Sequence, residues 1–185
     1  MTDWFETPEG IWQRLWQTLA TGVTDPGHPA RLPAFATVSP QGWPEARKVV
    51  LRSADQASAT VTVHTDLYSG KIASLQATPR AALLIWDAGD ALQIRLQAQV
   101  TIQSGDQTRA LWDSVPDHAR QSYGVTPPPG TPIPKALAYV KEPNPATFAV
   151  LTCTLSQIDA VHLGTAHRRA HFSRGRAWIG EWLSP

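Results

Sequence analysis

The chain has 185 residues, enough to bury a substantial core in one domain and too few for two large domains. Sixteen Lys and Arg residues oppose fifteen Asp and Glu residues, for a formal charge of +1, so bulk charge predicts neither nucleic acid nor an anionic membrane as a partner. The single cysteine, Cys153, excludes an internal disulfide and a cysteine-based zinc site. We therefore expect a single domain over residues 1–185 that holds no metal.

The opening segment has the pattern of an amphipathic helix within residues 1–22. Pro8 follows Thr7 in the order typical of an N-cap and a first helical position, and apolar residues then recur at helical spacing. Trp12 and Trp16 fit anchors in the core or in a subunit interface better than ligand-stacking groups. No basic or apolar run opens the chain, and no stretch approaches roughly eighteen consecutive apolar residues. We therefore expect a cytoplasmic protein.

Short β-rich runs separated by turn residues follow from about residue 34. They predict strands over Ala34 to Val38, Glu45 to Leu51, Ala59 to His64, Ala81 to Trp86, Leu92 to Ile102, Phe148 to Leu155, Gln157 to Leu163, His167 to Phe172 and Ala177 to Leu183. Helical segments are expected at Gly70 to Gln76, Asp106 to Val115 and Asp117 to Tyr123. Residues 124–135 are too rich in proline for a helix or a central strand and predict a surface excursion. Without a βαβ rhythm, the order predicts a mainly β (α+β) antiparallel barrel with peripheral helices.

One predicted strand has an unusually consistent polar face. Gln93, Arg95, Gln97 and Gln99 alternate with apolar residues, so their side chains share one side of the strand. Three interpretations fit this face: it is exposed to solvent, it lines a subunit interface, or it contacts a polar ligand.

Positive charge brackets an apolar strand at Arg47-Lys48-Val49-Val50-Leu51-Arg52. Because side chains alternate along a strand, Arg47 and Arg52 face opposite sides. An edge strand protected by charge would explain this segment taken alone. A ligand site that uses one arginine on each side is the alternative.

A strand end followed by a helix start defines a second candidate, His64-Thr65-Asp66-Leu67-Tyr68-Ser69-Gly70-Lys71. Free backbone N–H groups, the helix dipole and a lysine in the first turn suit a phosphate. The segment lacks the spacing of a P-loop, which argues against a nucleoside-triphosphate enzyme. An ordinary capped helix start is the alternative interpretation.

Together the two segments resemble the pyridoxamine 5'-phosphate oxidase-like FMN-binding split barrels. That family has an Arg-x-Val-Leu-Leu-Lys strand, then a strand ending in Tyr-Thr and a Ser-Arg-Lys turn into a helix. Further along, the family has a Pro-Arg-x-x-Leu-Leu run and then a glutamine at the start of a later strand. This chain is similar, with Pro79-Arg80-Ala81-Ala82-Leu83-Leu84 and then Gln93. The segment from His167 to Phe172, then Trp178 and the final Leu183-Ser184-Pro185, is similar to the family's closing strands.

The resemblance implies a six-stranded antiparallel split β-barrel with flanking helices, which forms a homodimer with FMN at the subunit interface. It assigns the FMN phosphate to Arg47, Ser69 and Lys71, with Thr65 nearby. The other expected cofactor contacts are Val49, Val50, Leu51, Arg52, His64, Gln93, Phe148 and His171. A planar guanidinium, an ammonium and hydroxyl donors together match a phosphate dianion.

Four departures from the family pattern bear on the activity. Gly70 stands where the oxidases have an arginine and His64 where they have a tyrosine, which predicts weaker FMN binding. Arg52 replaces a lysine that contacts the substrate phosphate, and no convincing Tyr, Arg and Ser set follows between Leu111 and Ser122.

We therefore expect an FMN-dependent oxidoreductase related to these oxidases, whose substrate is unassigned. Arg52, Arg168 and Arg169 would form an electropositive rim for a small anionic substrate or a nicotinamide cofactor. Hydride transfer to a flavin needs positioning more than a side-chain acid or base, so no catalytic residue is named. The alternatives are a true pyridoxamine or pyridoxine 5'-phosphate oxidase, a non-catalytic FMN carrier, and a haem-binding barrel using His162, His167 and His171.

Overall fold

The computed structural model describes residues 3–185. Its α-helices are α1 (Pro8–Thr24), α2 (Gly70–Ala77), α3 (Arg109–Ser114) and α4 (Asp117–Arg120). Its strands are β1 (Ala34–Val38), β2 (Pro44–Lys48), β3 (Leu51–Asp55), β4 (Thr60–Asp66), β5 (Arg80–Asp87), β6 (Leu92–Ser104), β7 (Val125–Thr126), β8 (Val140–Lys141), β9 (Phe148–His162), β10 (Arg168–Ser173) and β11 (Glu181–Leu183). The predominance of strands confirms the mainly β class.

Helix α1 begins where the sequence predicts and ends at Thr24, slightly beyond the predicted segment. Its first turn is capped by Thr7, whose side-chain oxygen accepts a hydrogen bond from the Gly10 N–H at 3.0 Å, and Pro8 occupies a position that needs no N–H partner. Ile11, Leu15 and Leu19 are fully buried, and the helix packs against β3. Trp16 lies in the core, while Trp12 is half-buried against Phe172 and Trp178.

All pairs in the main sheet are antiparallel, as expected. Its hydrogen-bonded order is β11-β10-β9-β6-β5-β1-β2, and the β3–β4 pair joins through β4 to β9. Within residues 3–185 this sheet contains nine strands, where the resemblance implied a barrel of six. The antiparallel fold with flanking helices is confirmed, and short additional strands such as β11 account for part of the larger count.

The structure divides two stretches of predicted strand differently from the sequence-based expectation. The expected strand from Glu45 to Leu51 is two strands, because the chain leaves β1 after Lys48 and pairs with β4 from Leu51 onward. The two strands expected between Phe148 and Leu163 are one continuous strand, β9. A register shift in β6, between Gln97 and Ala98, absorbs Ser156 without ending β9, as β-bulges do.

The strand expected from Ala177 to Leu183 is mostly a turn. Ala177 and Trp178 have positive φ angles of 52° and 63°, which a strand does not permit. Only Glu181–Leu183 pairs with β10. Trp178 accordingly turns back to pack beside Trp12, with their ring centroids 5.6 Å apart.

Apolar side chains form two separate clusters. The larger one fills the space between α1 and the sheet. The smaller one, which we call the aromatic cluster, lies where α3 and α4 cover the other side of β9, and consists of Trp112, Val115, Tyr123, Phe148 and Val150. The two short helices therefore have a core of their own beside the main one.

The proline-rich excursion leaves and returns at one narrow neck. Strands β7 and β8 pair there, and Gly124, with a φ of 108°, has no room for a Cβ atom, which would lie 2.0 Å from the Glu142 carbonyl oxygen. A buried hydrogen bond also holds this neck, since the Asp66 Oδ2 accepts from the Gly124 N–H at 2.9 Å. In residues 3–185, no helix is both long and apolar enough to cross a membrane.

Candidate functional site

Three polar side chains converge where β4 ends and α2 begins. The Lys71 Nζ donates to the Thr65 Oγ1 at 2.8 Å and to the Ser69 Oγ at 3.0 Å, and the two hydroxyls lie 3.0 Å apart. Ser69 is the N-cap residue of α2, so the unpaired N–H groups of the first helical turn open beside them. We call this group, together with Arg47, the anion cradle.

Arg47 reaches the same cleft from strand β2. Its Nη1 donates to the Thr37 Oγ1 at 2.7 Å and to the Phe35 carbonyl at 3.3 Å, which fixes the guanidinium against β1. Arg47, Lys71, Glu45, Ala46 and Gly70 line an open cleft of about 530 Å³. A Cβ atom at Gly70 would meet nothing within 4 Å, so the cleft has free space where a side chain is missing.

The electrostatics of the cradle favour an anion. Burial and the nearby Arg47 guanidinium lower the pKa of Lys71 from its ordinary value, against the opposing effect of Asp66. Two cations that repel each other in a partly desolvated cleft are both stabilised when a negative charge enters between them. The donor set, one guanidinium, one ammonium, two hydroxyls and free N–H groups, fits a phosphate.

Asp66 joins the cradle to the neck of the excursion. Its Oδ1 accepts the Tyr68 N–H at 2.8 Å, inside the loop that carries Ser69, while its Oδ2 holds Gly124. Because the carboxylate is buried, both hydrogen bonds are shielded from water. This single residue therefore positions the cradle loop relative to Tyr123 and the aromatic cluster.

Arg52 and His64 lie on the side of the barrel that the aromatic cluster covers. Arg52 is close enough to lower the pKa of His64, and its effect on Tyr123 opposes the rise in pKa that burial causes. His64 stands edge-on to Phe148, with ring centroids 5.0 Å apart. In the described residues the His64 Nδ1 and the Arg52 Nε are buried without a hydrogen-bond partner. Such atoms are costly in a core and are common where a ligand binds.

His64 makes stability depend on pH. Burial, with a smaller effect of Arg52, lowers its pKa to about 4, so the unfolded chain takes up this proton before the folded chain does. Stability is therefore present above about pH 6.5 and is lost as the pH falls toward 4. Between pH 7.5 and 5, we expect the wild type to lose about 1 kcal/mol more unfolding free energy than His64→Gln, with solvent screening allowed for. Urea denaturation followed by circular dichroism at the two pH values measures this, and equal losses would contradict it.

Gln93 and His171 project from the other face of the sheet. Residues that pair directly across two strands point to the same face of the sheet. Gln93 pairs with Trp86 and Val161, whereas the cradle residue Arg47 pairs with the core residue Phe35. The rest of the predicted polar face, Arg95, Gln97 and Gln99, is exposed. One copy of the chain therefore does not bring Gln93 or His171 to the cradle.

The remaining predicted contacts are distributed as follows. Phe148 is fully buried in the aromatic cluster. Val49 and Val50 link β2 to β3, and Leu51 is the first residue of β3. The Val49 N–H donates to the Pro33 carbonyl, and Arg31 donates to the Leu51 carbonyl. The roles assigned to these residues stay predictions.

The two arginines of the predicted rim are already paired. Arg168 binds Glu6 at 2.5 Å and lies over the Phe5 ring, and Arg169 binds Asp159 at 2.8 Å on the outer face. Within residues 3–185 Arg52 has no carboxylate partner, so it is the unpaired cation among the three arginines.

No group of three or more His, Cys, Asp or Glu residues in that range could hold a metal ion. The ring of His162 is stacked on Phe5, with ring centroids 4.3 Å apart.

Sequence reasoning did not identify Glu45, Asp66 or Tyr123 as site residues. Glu45 stands two residues before Arg47, so the period of a strand places both on one face and gave a usable signal. Asp66 and Tyr123 gave none, because the hydrogen bond of Asp66 to Gly124 and the position of Tyr123 depend on where a distant segment returns.

Comparisons with known proteins identify a family for this chain. The family model described as the pyridoxamine 5'-phosphate oxidase FMN-binding domain matches residues 11–104. The pyridoxine/pyridoxamine 5'-phosphate oxidase 1 of Ralstonia nicotianae is 40% identical over 82 residues, which are 44% of this chain. The match spans only 38% of that relative's length.

Two solved structures share the fold. A pyridoxamine 5'-phosphate oxidase-related, FMN-binding protein of Nostoc punctiforme is 25% identical, with a TM-score of 0.74 over 94% of this chain and 96% of that one. PhzG of Burkholderia lata, solved with tetrahydrophenazine-1-carboxylic acid, is 20% identical, with a TM-score of 0.76 over 100% and 97%. The family model matches half of this chain. The chain therefore belongs to the pyridoxamine 5'-phosphate oxidase FMN-binding domain family, whose cofactor is FMN.

Proposed function

We propose that the chain is an FMN-dependent oxidoreductase that works as a homodimer on a small anionic substrate. The observation that carries this proposal is the convergence of Thr65, Ser69 and Lys71 across a cleft from Arg47. The cradle residues are the ones that the resemblance assigned to the FMN phosphate, and their donor chemistry fits that group. When bound, the flavin supplies hydride and electron transfer, which no side chain of the site provides.

The protein's part is binding and orientation. Arg47 and Lys71 would hold the phosphate, with Thr65 and Ser69 donating or accepting through their hydroxyls. The link from Val49 to Leu51 would run beside the ring system. Anchoring the phosphate end in this way fixes the position of the ring without a covalent bond.

A second copy would complete the site. Gln93 and His171 lie on the outer sheet face, away from their own cradle, and that face also exposes Trp86 and Leu84. Exposed apolar side chains beside amide groups are typical of an interface. In a dimer that packs the outer face of one copy against the cradle side of the other, the partner's outer face would supply the polar contacts of the flavin ring.

A dimeric site has a testable consequence at Gln93. We expect Gln93→Ala to change the visible spectrum or reduction potential of bound flavin, while the nearby Gln97→Ala variant serves as a control. Size-exclusion chromatography with light scattering gives the oligomeric state of both. A monomeric protein, or flavin properties untouched by Gln93→Ala, would contradict the shared site.

The substrate is proposed to meet Arg52. This guanidinium lies near His64 and Tyr123 and has no carboxylate partner in the described residues, so an anionic group would satisfy its unpaired Nε. Because Arg168 and Arg169 already have acidic partners, they contribute less free charge than the sequence predicted. A carboxylate or phosphate on the substrate is the chemistry that Arg52 recognises.

The test begins with the purified protein. A flavin absorption spectrum, followed by anaerobic titration with NADH, NADPH and pyridoxine 5'-phosphate, shows which donor reduces the flavin. Reduction by a nicotinamide or another anionic donor supports the oxidoreductase. Turnover of pyridoxine 5'-phosphate would instead establish the true oxidase, and bound flavin that no donor reduces would favour a carrier.

A further inference from the structure

The anion cradle contains a negative charge of its own. Glu45 lies two residues before Arg47 on strand β2, and its Oε2 accepts from the Arg47 Nη2 at 2.8 Å. Both side chains line the cleft with Lys71. A carboxylate oxygen can only accept hydrogen bonds, so Glu45 offers nothing to a phosphate and occupies the nitrogen that a phosphate would use.

The other terminal nitrogen of the Arg47 guanidinium is committed to the protein. This Nη1 contacts the Phe35 and Glu45 carbonyls and the Thr37 hydroxyl, which leaves the Nη2 facing Glu45. An incoming phosphate that binds this Nη2 therefore competes with the Glu45 carboxylate. In the described residues the Lys71 Nζ has no carboxylate partner; it donates to the Thr65 and Ser69 hydroxyls.

We propose that Glu45 competes with the phosphate of FMN for Arg47, and thereby lowers the affinity of the site and keeps the flavin exchangeable. The proposal rests on the cradle being the phosphate site of the proposed function. The Glu45 side chain is 45% exposed, and an exposed ion pair of this kind is weak, so the carboxylate can turn into solvent. It then stays within a few ångströms of a dianion, because its backbone is fixed in β2, and the repulsion persists.

The experiment compares binding of FMN and riboflavin, which lacks the phosphate, by flavin fluorescence. Wild type, Glu45→Gln and Glu45→Ala are measured, with Glu9→Gln on α1 as a control for the same change in net charge. We expect both Glu45 variants to bind FMN about three- to tenfold more tightly at low salt, with riboflavin affinity unchanged. The gain should shrink at high salt, where charge interactions are screened.

The variants separate the explanations. Tighter binding by Glu45→Gln alone would mean that the new amide donates to the phosphate, and would overturn the proposal. Unchanged or weaker FMN binding in both variants would show that Glu45 holds Arg47 in place instead of competing for it. An equal gain for riboflavin would exclude an effect on the phosphate. A wild-type chain that binds neither flavin would refute the proposed function together with this inference.

Discussion

Lys71→Ala is expected to weaken FMN binding by about 10- to 100-fold, the cost of losing one charge-assisted contact to a phosphate. Arg47→Ala should have an effect of similar size. The fold should survive both changes, because each side chain is partly exposed and the Thr65 and Ser69 hydroxyls remain paired with each other. Titration of the apoprotein with FMN, followed by fluorescence quenching, measures the affinities.

A matched control lies next to Arg47 on the same strand. Lys48 carries the same charge but is exposed, and the alternation of β2 turns it away from the cleft. We expect Lys48→Ala to bind FMN like the wild type. Riboflavin should bind all four proteins equally, and a parallel loss of riboflavin affinity would mean that the cradle residues support the ring site or the fold instead of the phosphate.

Phe148→Ala is expected to destabilise the protein by about 3–5 kcal/mol, the range for truncating a buried phenylalanine. Phe148 is fully buried and contacts the rings of His64, Trp112 and Tyr123, with centroid distances of 5.0 to 5.4 Å. Its removal would leave a cavity under α3 and α4 that the short helices cannot close. Urea denaturation followed by circular dichroism measures the loss.

Two further variants show whether the effect belongs to packing. Phe148→Leu retains most of the volume and should lose much less stability than Phe148→Ala. Tyr68→Ala removes an aromatic ring that is 59% exposed, and should change the free energy of unfolding by no more than about 0.5 kcal/mol. If Phe148→Leu folds well yet loses FMN, the side chain contacts the flavin directly, as the resemblance implied; if it retains FMN, its role is structural.

The parts of the site that the sequence predicted are those whose geometry is local. Thr65, Ser69 and Lys71 lie within seven residues, and a strand end leading into a helix start brings them together whatever the rest of the chain does. Arg47 was assigned by resemblance, and its place opposite Lys71 depends on how β2 passes α2. Apolar periodicity also predicted α1 and most strands correctly. The signals at the two ends of α2, Ser69 before it and Pro79 after it, predicted that helix.

The failures arise where the outcome depends on long-range partners. The sequence assigned Arg168 and Arg169 to an electropositive rim but did not indicate their acidic partners. Glu6 and Asp159 reach them through the pairing of β9 with β10 and the packing of the N-terminal segment. The strand predicted from Ala177 was lost to two left-handed residues, neither of them glycine. Neither alanine nor tryptophan is a residue type that marks such a turn, which the packing of Trp178 on Trp12 stabilises.

The narrow neck of the proline-rich excursion has a practical meaning for engineering. The β7–β8 pair and the Asp66–Gly124 hydrogen bond close the loop at its base, and beyond that base the Leu137 side chain is largely exposed. The segment between the two short strands can therefore be replaced without disturbing the sheet. A longer loop, a peptide tag or a small domain inserted between Pro128 and Tyr139 should leave the barrel folded, because lengthening a loop whose ends are held together costs little conformational entropy.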